Sequence, residues 1–488
     1  MVKLRVRLYF LLFSLIFSNN LLFSQGYHIQ LNAPDFAGQE VILAEYMASR
    51  MVPRDTARIS LLGEAEFKGD EPFDGGLYIM FFNQRYYFDF LLNEDQSFSV
   101  RADSADLVGN TTFEGSLENR LFYEYKNYLA EKRQLQQDYA RELQNAQGSA
   151  DSARIQNQLE QLNEEMIDYI DRNIRENQET FFATFLNATR EVEVPEDILT
   201  GTKREQDSIR YMYYKAHYLD NFDLSDIRLL HTPLYESRVK NYIDRVVPQH
   251  PDSLIVAVDH LIEKSRSHDA IFRYMLITLF NHFAESKIMG MDKVYFHIAE
   301  KYYIPEATWS SPEFIEKLSD NLEKSKPTLI GNIAPDFELR GLPAEHFEMA
   351  KMDTAIKSDP HVGYTFSLSQ VPARYTLLYF WEADCGHCKK STPALYKVFE
   401  KYRDQDVQVM AVHVINSVEG KIKWVDFVNE HGTLDWINCW SPYSNDFRKQ
   451  YNLLSFPQLF LLDRDKKIIA KSLSAEQVDD ILNRFLNN

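Results

Sequence analysis

Between residues 26 and 114 the apolar positions come in short runs: YHIQL, EVILAEYM, GLYIMFF, YYFDFLL and SFSV. Some alternate with polar residues and some are continuous. Polar, Asp-, Asn- and Gly-bearing segments (NAPD, KGDEPFDGG, NEDQ) separate them. This is the pattern of strands and turns, and it predicts an all-β module, a small sandwich or barrel. From 115 to 325 the spacing becomes helical. Leu117, Leu121, Tyr125 and Leu129 fall on one face, Gly148-Ser149 breaks the run, and a second helical stretch resumes after it. An antiparallel helical hairpin fits, followed by further helices up to about residue 324. From 330 to 488 the pattern alternates again. TLLYFW, VQVMAVHVI, LDWINCW, QLFLLD and KIIAKSL read as strands, with amphipathic helices at STPALYKVFEKYR, GKIKWVDFVNEH and NDFRKQYNL and a last one at AEQVDDILNRFL. Continuous apolar strands between helices predict an α/β sheet covered on both faces. The fold class is thus multidomain: an all-β module over 26–114, a helical region over 115–325 and an α/β domain over 330–488.

The first residues differ from all of these. Lys3, Arg5 and Arg7 precede an apolar run from Leu8 to Phe17 broken only by Ser14, which is short for a membrane span. This is the layout of a signal peptide over 1–24, cut after Ser24, with an uncleaved anchor as the alternative, and it predicts an exported protein of the periplasm or cell envelope. With no other long apolar segment, the mature chain is expected to carry no stable membrane span. The formal net charge of −19, from 72 acidic and 53 basic residues, argues against nucleic acid or anionic lipid as the main partner.

Export changes how the cysteines read. Disulfides persist outside the cytoplasm, yet three cysteines in 488 residues do not make a disulfide scaffold. Cys385 and Cys388 form a C-x-x-C pair between a buried strand and a helix. A zinc site asks for four ligands, and no second such pair or paired-histidine motif is present, so no metal is expected. A purely structural disulfide here would close a tiny loop and remove little entropy from the unfolded chain. A redox pair fits better. At a helix start, backbone N–H groups and the helix dipole favour the thiolate of Cys385. Cys388 lies one turn further in, so Cys385 is expected to attack and Cys388 to resolve. His387 adds a positive charge or a donor beside the thiolate, and Gly386 removes bulk at the turn. Cys439 reads first as a small buried hydrophobe, with exchange with Cys385 left open, and His413 reads as structural.

The stretch LLYFWEADCGHCKKSTP, residues 377–393, resembles the active-site strand and helix of the thioredoxin superfamily. Trp381, Cys385, Gly386, His387, Cys388 and the helix proline Pro393 match, and the C-G-H-C form resembles the protein disulfide isomerases. The resemblance implies that Pro457, in LLSFPQLFLLD, is the cis-proline facing the cysteine pair, and that Trp381, Gly386 and Phe456 border a substrate groove. IGNIAPDFEL, residues 330–339, resembles the opening of the exported TlpA/ResA branch. The β-rich module and the helices after it are similar to those that precede such domains in exported Bacteroidota proteins. Two positions depart from the family pattern: Tyr379 replaces a buried acid, and Ser391 replaces a glutamate. Glu382 or Asp384 is the available substitute for either acid, the alternative being that both are surface charges. Residues 342–368 make a longer link than the family requires, either a flap near the site or a solvated loop.

The expected function is therefore thiol–disulfide exchange with protein thiols and disulfides, coupled to an upstream thiol electron donor or acceptor. No cofactor is needed, because the cysteines carry the electrons. The competing reading is an envelope binding or structural protein in which this domain is an accessory.

Overall fold

Strands Tyr27–Asn32 (β1), Glu40–Met47 (β2), Arg50–Arg58 (β3), Glu64–Gly69 (β4), Gly76–Phe81 (β5), Tyr87–Leu92 (β6), Ser97–Arg101 (β7) and Thr112–Glu114 (β8) build two four-stranded sheets in the computed structural model. It describes residues 26–442, 444 and 446–487, so the expected signal peptide over 1–24 lies outside the described residues. The sheet orders are β4-β1-β7-β8 and β3-β2-β5-β6, and all neighbours are antiparallel except β1 and β7. Their inner faces meet through aromatic rings, such as Phe90 against Phe98 at 6.0 Å. Offset or edge-on rings at this spacing add to the burial of their area.

Two 28-residue helices follow, Leu117–Gln144 (α1) and Ser149–Glu176 (α2). Tyr128 stacks on Tyr169 at 3.8 Å and Lys132 pairs with Glu165 at 2.9 Å, so the two run antiparallel as a hairpin. The predicted stripe holds at Tyr125, which is buried, and at the half-buried Leu121 and Leu129, but fails at the start of α1. Leu117 is 43% exposed, whereas Glu118, Asn119, Phe122 and Tyr123 are buried. The cause is polar. Asn119 exchanges hydrogen bonds with the backbone of Leu91, and the Glu118 carboxylate accepts the N–H groups of Phe181 and Phe182 at 2.8 and 2.7 Å. Those N–H groups open the helix Phe181–Thr189 (α3), where an anion satisfies otherwise unpaired donors.

The described residues divide into two units. One runs to Gln249 and includes His260–Phe272; the other holds His250–Asp259 and Arg273 onward. The helical stretch 115–325 contributes to both. In the second unit, helices Asp292–Ile298 (α4) and Pro312–Ser325 (α5) precede a seven-stranded sheet. Its strands are Glu338–Gly341 (β9), Tyr364–Ser367 (β10), Tyr375–Trp381 (β11), Val407–His413 (β12), Ile437–Trp440 (β13), Gln458–Leu462 (β14) and Ile468–Lys471 (β15), in the order β10-β9-β13-β12-β11-β14-β15. β11, β12 and β13 are parallel; β14 runs antiparallel to β11. Six of the seven residues of β11 are buried, as expected of a central strand covered on both faces. Among the described residues no helix is long and apolar enough to cross a membrane.

The segment 342–368 is neither a flap nor a solvated loop. It forms two short helices, Ala344–Met349 (α6) and Thr354–Ser358 (α7), docked on the helix Val418–His431 (α9), which follows the site helix Gly386–Tyr402 (α8). Phe347 is fully buried, with its ring edge-on to Trp424 at 5.3 Å. Lys421, buried in α9, donates to the carbonyls of Ile356 and Asp359.

Candidate active site

Topology gathers the site. The parallel strands β11, β12 and β13 end in register at Trp381, His413 and Trp440, and the crevice beyond such carboxyl ends is where open α/β sheets bind ligands. The chain leaves β11 through Glu382, Ala383 and Asp384 and enters α8 with Cys385 as its N-cap. β14 begins at Gln458 beside Phe380, so the turn before it, Phe456–Pro457, falls at the same end of the sheet. That peptide is cis. The Cys385 thiol reaches the carbonyl of Phe456 at 3.5 Å.

The two cysteines occupy different environments because of helix periodicity. Cys388, Thr392, Leu395, Phe399 and Tyr402 form the buried stripe of α8, so Cys388 is the first residue of a core-facing face. Its side chain is 0% exposed. Cys385, one turn earlier, is only half-buried. The Cys385 sulfur accepts the backbone N–H of Cys388 at 3.2 Å, one of the N–H groups that no intrahelical carbonyl can satisfy. Burial, then the neighbouring Cys385, pushes the Cys388 thiol well above its ordinary range. Cys388 therefore stays protonated while Cys385 is the sulfur within reach of a partner.

The other expected residues separate into three groups. His387 and Pro457 line a cavity of about 580 Å³ beside the pair, together with Phe456, Tyr379 and Ser391. Gly386 is exposed, and a Cβ there would meet nothing within 4 Å. Its lack of a side chain leaves the approach to Cys385 open. Trp381 does not border a groove. It is 2% exposed and packs under the site against Phe427 at 4.3 Å and His413 at 5.1 Å.

Asp384 does not take the place of a buried carboxylate, whereas Glu382 is half-buried and its charge is one of the causes that raise the Cys388 thiol. Asp384 is exposed and forms an ion pair with Lys423 at 2.8 Å, which holds its carboxyl below the usual range. The carbonyl of Glu382 accepts the N–H of Cys385 at 3.3 Å. What stands under the resolving cysteine is a cluster of hydroxyls. Tyr379 Oη is 3.0 Å from Ser391 Oγ and 3.1 Å from Thr392 Oγ1, and Ser391 donates to the Cys388 carbonyl at 3.3 Å.

His413 has more to do than its position in the sequence suggests. Its Nε2 accepts the N–H of Ala383, in the loop that leads to Cys385, at 3.4 Å. Burial lowers its pKa to about 3, so the ring is neutral and keeps the lone pair this bond needs. The equal lengths of the runs 375–381 and 407–413, laid in parallel, are the signal that would have put it beside Trp381. Cys439 is on the far side. It packs with Phe380, Val412 and Phe460, whereas Cys388 packs with Tyr379 and Trp381 on the opposite face of the sheet. Burial raises its pKa to about 12. Exchange between Cys439 and Cys385, left open by the sequence, is blocked by the sheet itself.

Residues 330–471 match the AhpC/TSA family, and residues 140–326 match a domain of unknown function (DUF5106). Residues 330–471 are a thioredoxin-like domain of the AhpC/TSA family. The thiol-disulfide oxidoreductase ResA of Bacillus thuringiensis is 24% identical over 124 residues, 25% of this chain and 68% of that protein. The sporulation thiol-disulfide oxidoreductase A of Bacillus subtilis is 27% identical over 109 residues, 22% of this chain and 64% of that protein. Among solved structures, a thioredoxin-like protein from Bacteroides caccae is 18% identical, covering 60% of this chain and 97% of its own, with a TM-score of 0.41. At the level of the family, the thioredoxin-like domain is that of a thiol–disulfide oxidoreductase.

Proposed function

We propose that this protein is an exported thiol–disulfide oxidoreductase that exchanges disulfides with protein substrates through Cys385 and Cys388. The observation that carries the reading is the asymmetry of the pair: a half-buried sulfur at a helix N-terminus with a fully buried, protonated thiol one turn behind it. The Cys385 thiolate attacks a substrate disulfide. A Cys385–substrate S–S bond forms, the substrate's own S–S bond breaks, and its second sulfur leaves and takes a proton. Cys388 then gives up its proton and attacks Cys385. The Cys385–Cys388 disulfide forms and the first substrate sulfur leaves as a thiol. Two electrons pass from the cysteine pair to the substrate, and an upstream thiol returns them. The same steps in reverse oxidise a dithiol. Attack by the thiolate and departure of the better leaving group set the order.

The basic and apolar layout of residues 1–24 supports export to the periplasm or cell envelope, an oxidising compartment in which such exchange has substrates. His387, Pro457 and Phe456 are the residues assigned to the substrate side of the pair, because they line the cavity beside it. The test is reduction of insulin and of glutathione disulfide by the full chain with dithiothreitol as electron source. Wild type is expected to turn over both, and Cys385→Ser to turn over neither. Equal rates for wild type and Cys385→Ser would remove the assignment.

A further inference from the structure

The cavity beside His387 and Pro457 extends over Ser472, Leu473 and Gln477. The same three residues line a second hollow of about 460 Å³, so the two adjoin. The second hollow is walled by Ile288 and Met289, which come from the segment joining the helix that ends at Ala284 to α4. This wall is fixed in place. Asp292, at the start of α4, pairs with Lys471 at 2.5 Å, and Lys471 ends the strand that leads into Ser472. Gly290 turns the segment with φ +86, and Ser472 itself holds a left-handed φ of 56, a conformation that residues other than glycine adopt at a cost.

Ile288 and Met289 are 56% and 47% exposed. A single exposed apolar side chain needs no explanation, but two neighbours that wall a hollow continuous with the redox site do. We propose that Ile288 and Met289 are specificity determinants of the exchange reaction, receiving apolar side chains of a substrate polypeptide whose cysteine is joined to Cys385. The inference rests on the function proposed above. A substrate cysteine bound to Cys385 carries chain on either side of it, and one side is led past Pro457, over Ser472 and Leu473, to this wall. Met is suited to such a place because its unbranched side chain adapts to different partners. Glutathione, a tripeptide without long flanking chain, is expected to reach only the first hollow.

The full chain carrying Ile288→Glu with Met289→Glu tests this. Rates of insulin reduction and of glutathione disulfide reduction are compared with wild type under the same dithiothreitol supply. The expected result is at least a fivefold fall in kcat/KM for insulin, mainly through KM, with glutathione disulfide unchanged. The pair Ile288→Leu and Met289→Leu is expected to keep the wild-type ratio. Unchanged insulin kinetics, an equal fall for both substrates, or a fall in the leucine pair would each overturn the proposal. Wild-type protein inert towards both substrates would overturn the oxidoreductase reading beneath it, which is a different result.

Discussion

The hydroxyl of Tyr379 stands 3.0 Å from Oγ of Ser391, and these are the two positions at which the chain departs from the carboxylates of the resembled family. The departures are linked. A tyrosine on the central strand and a serine on α8 meet as a pair of neutral hydroxyls, with Thr392 as third member at 3.1 Å from the tyrosine. Burial pushes the Tyr379 phenol far above its ordinary range, so the cluster carries no charge at any pH the protein meets. A buried neutral network of this kind is stable only while its members satisfy one another.

Tyr379→Phe is therefore expected to lower stability by about 1–2 kcal/mol, the penalty for a buried hydroxyl that loses its partner. It is also expected to leave the pH–rate profile of exchange unchanged in shape between about pH 5 and 8, since Tyr379 does not titrate there. Urea unfolding and pH–rate curves of the variant check both. A shifted profile would mean that the phenol takes part in proton movement.

His413 makes the domain sensitive to acid. The folded ring titrates at about 3, through burial opposed by Asp384, against about 6.5 when unfolded. Between those values the unfolded chain binds a proton that the folded chain does not, so this stability is complete above about 6.5 and is lost as the pH falls towards 3. From pH 7 to 4.5 the loss is about 2–3 kcal/mol. His413→Gln, which cannot titrate, is expected to show a correspondingly smaller loss. Trp381, Trp424, Trp436 and Trp440 all lie in this domain, so tryptophan fluorescence in urea at the two pH values reads the difference. Parallel losses would contradict the assignment.

Lys421 fastens the segment that carries α6 and α7. Its buried ammonium donates to two backbone carbonyls, of Ile356 and Asp359, and lies 5.7 Å from the Trp440 ring. Lys421→Met keeps most of the apolar stem and removes the donors, leaving the carbonyl of Ile356 unpaired, a penalty of about 1–3 kcal/mol. The expected result is faster proteolysis within 350–362, with exchange activity retained. Protection equal to wild type would show that Phe347 alone holds the segment.

The fold of residues 330–488 was legible because its strands are continuous apolar runs and its helices are amphipathic, patterns set by burial on two faces and on one. The cysteine pair was legible because a strand, two cysteines and a helix follow in sequence. What depended on long-range pairing was not. Trp381 reads as a groove residue until the register of β11 and β12 buries it against His413. Leu117 reads as a core residue of α1 until Glu118 and Asn119 find backbone partners far along the chain. Nothing in the sequence joins Ile288 and Met289 to a redox site about a hundred residues later.

Cys439 supplies a control. Fully buried on the far face of the sheet, with its pKa raised to about 12, it is expected to be inert to thiol reagents in the folded protein. Cys439→Ala is expected to cost about 1 kcal/mol of stability and to leave exchange rates unchanged. A loss of activity without a loss of stability would assign it a role in the reaction.

The division of labour between the two sulfurs is tested most directly by trapping. Cys388→Ser leaves Cys385 able to attack and removes the thiol that resolves the product, so mixed disulfides between the protein and its partners are expected to accumulate when it is expressed in an oxidising envelope. Cys385→Ser leaves only the buried thiols of Cys388 and Cys439 and is expected to trap none. Non-reducing gels with mass spectrometry of the adducts make the measurement. Adducts on Cys388→Ser alone are the result this account predicts; equal trapping by both variants, or adducts on Cys385→Ser alone, would contradict it.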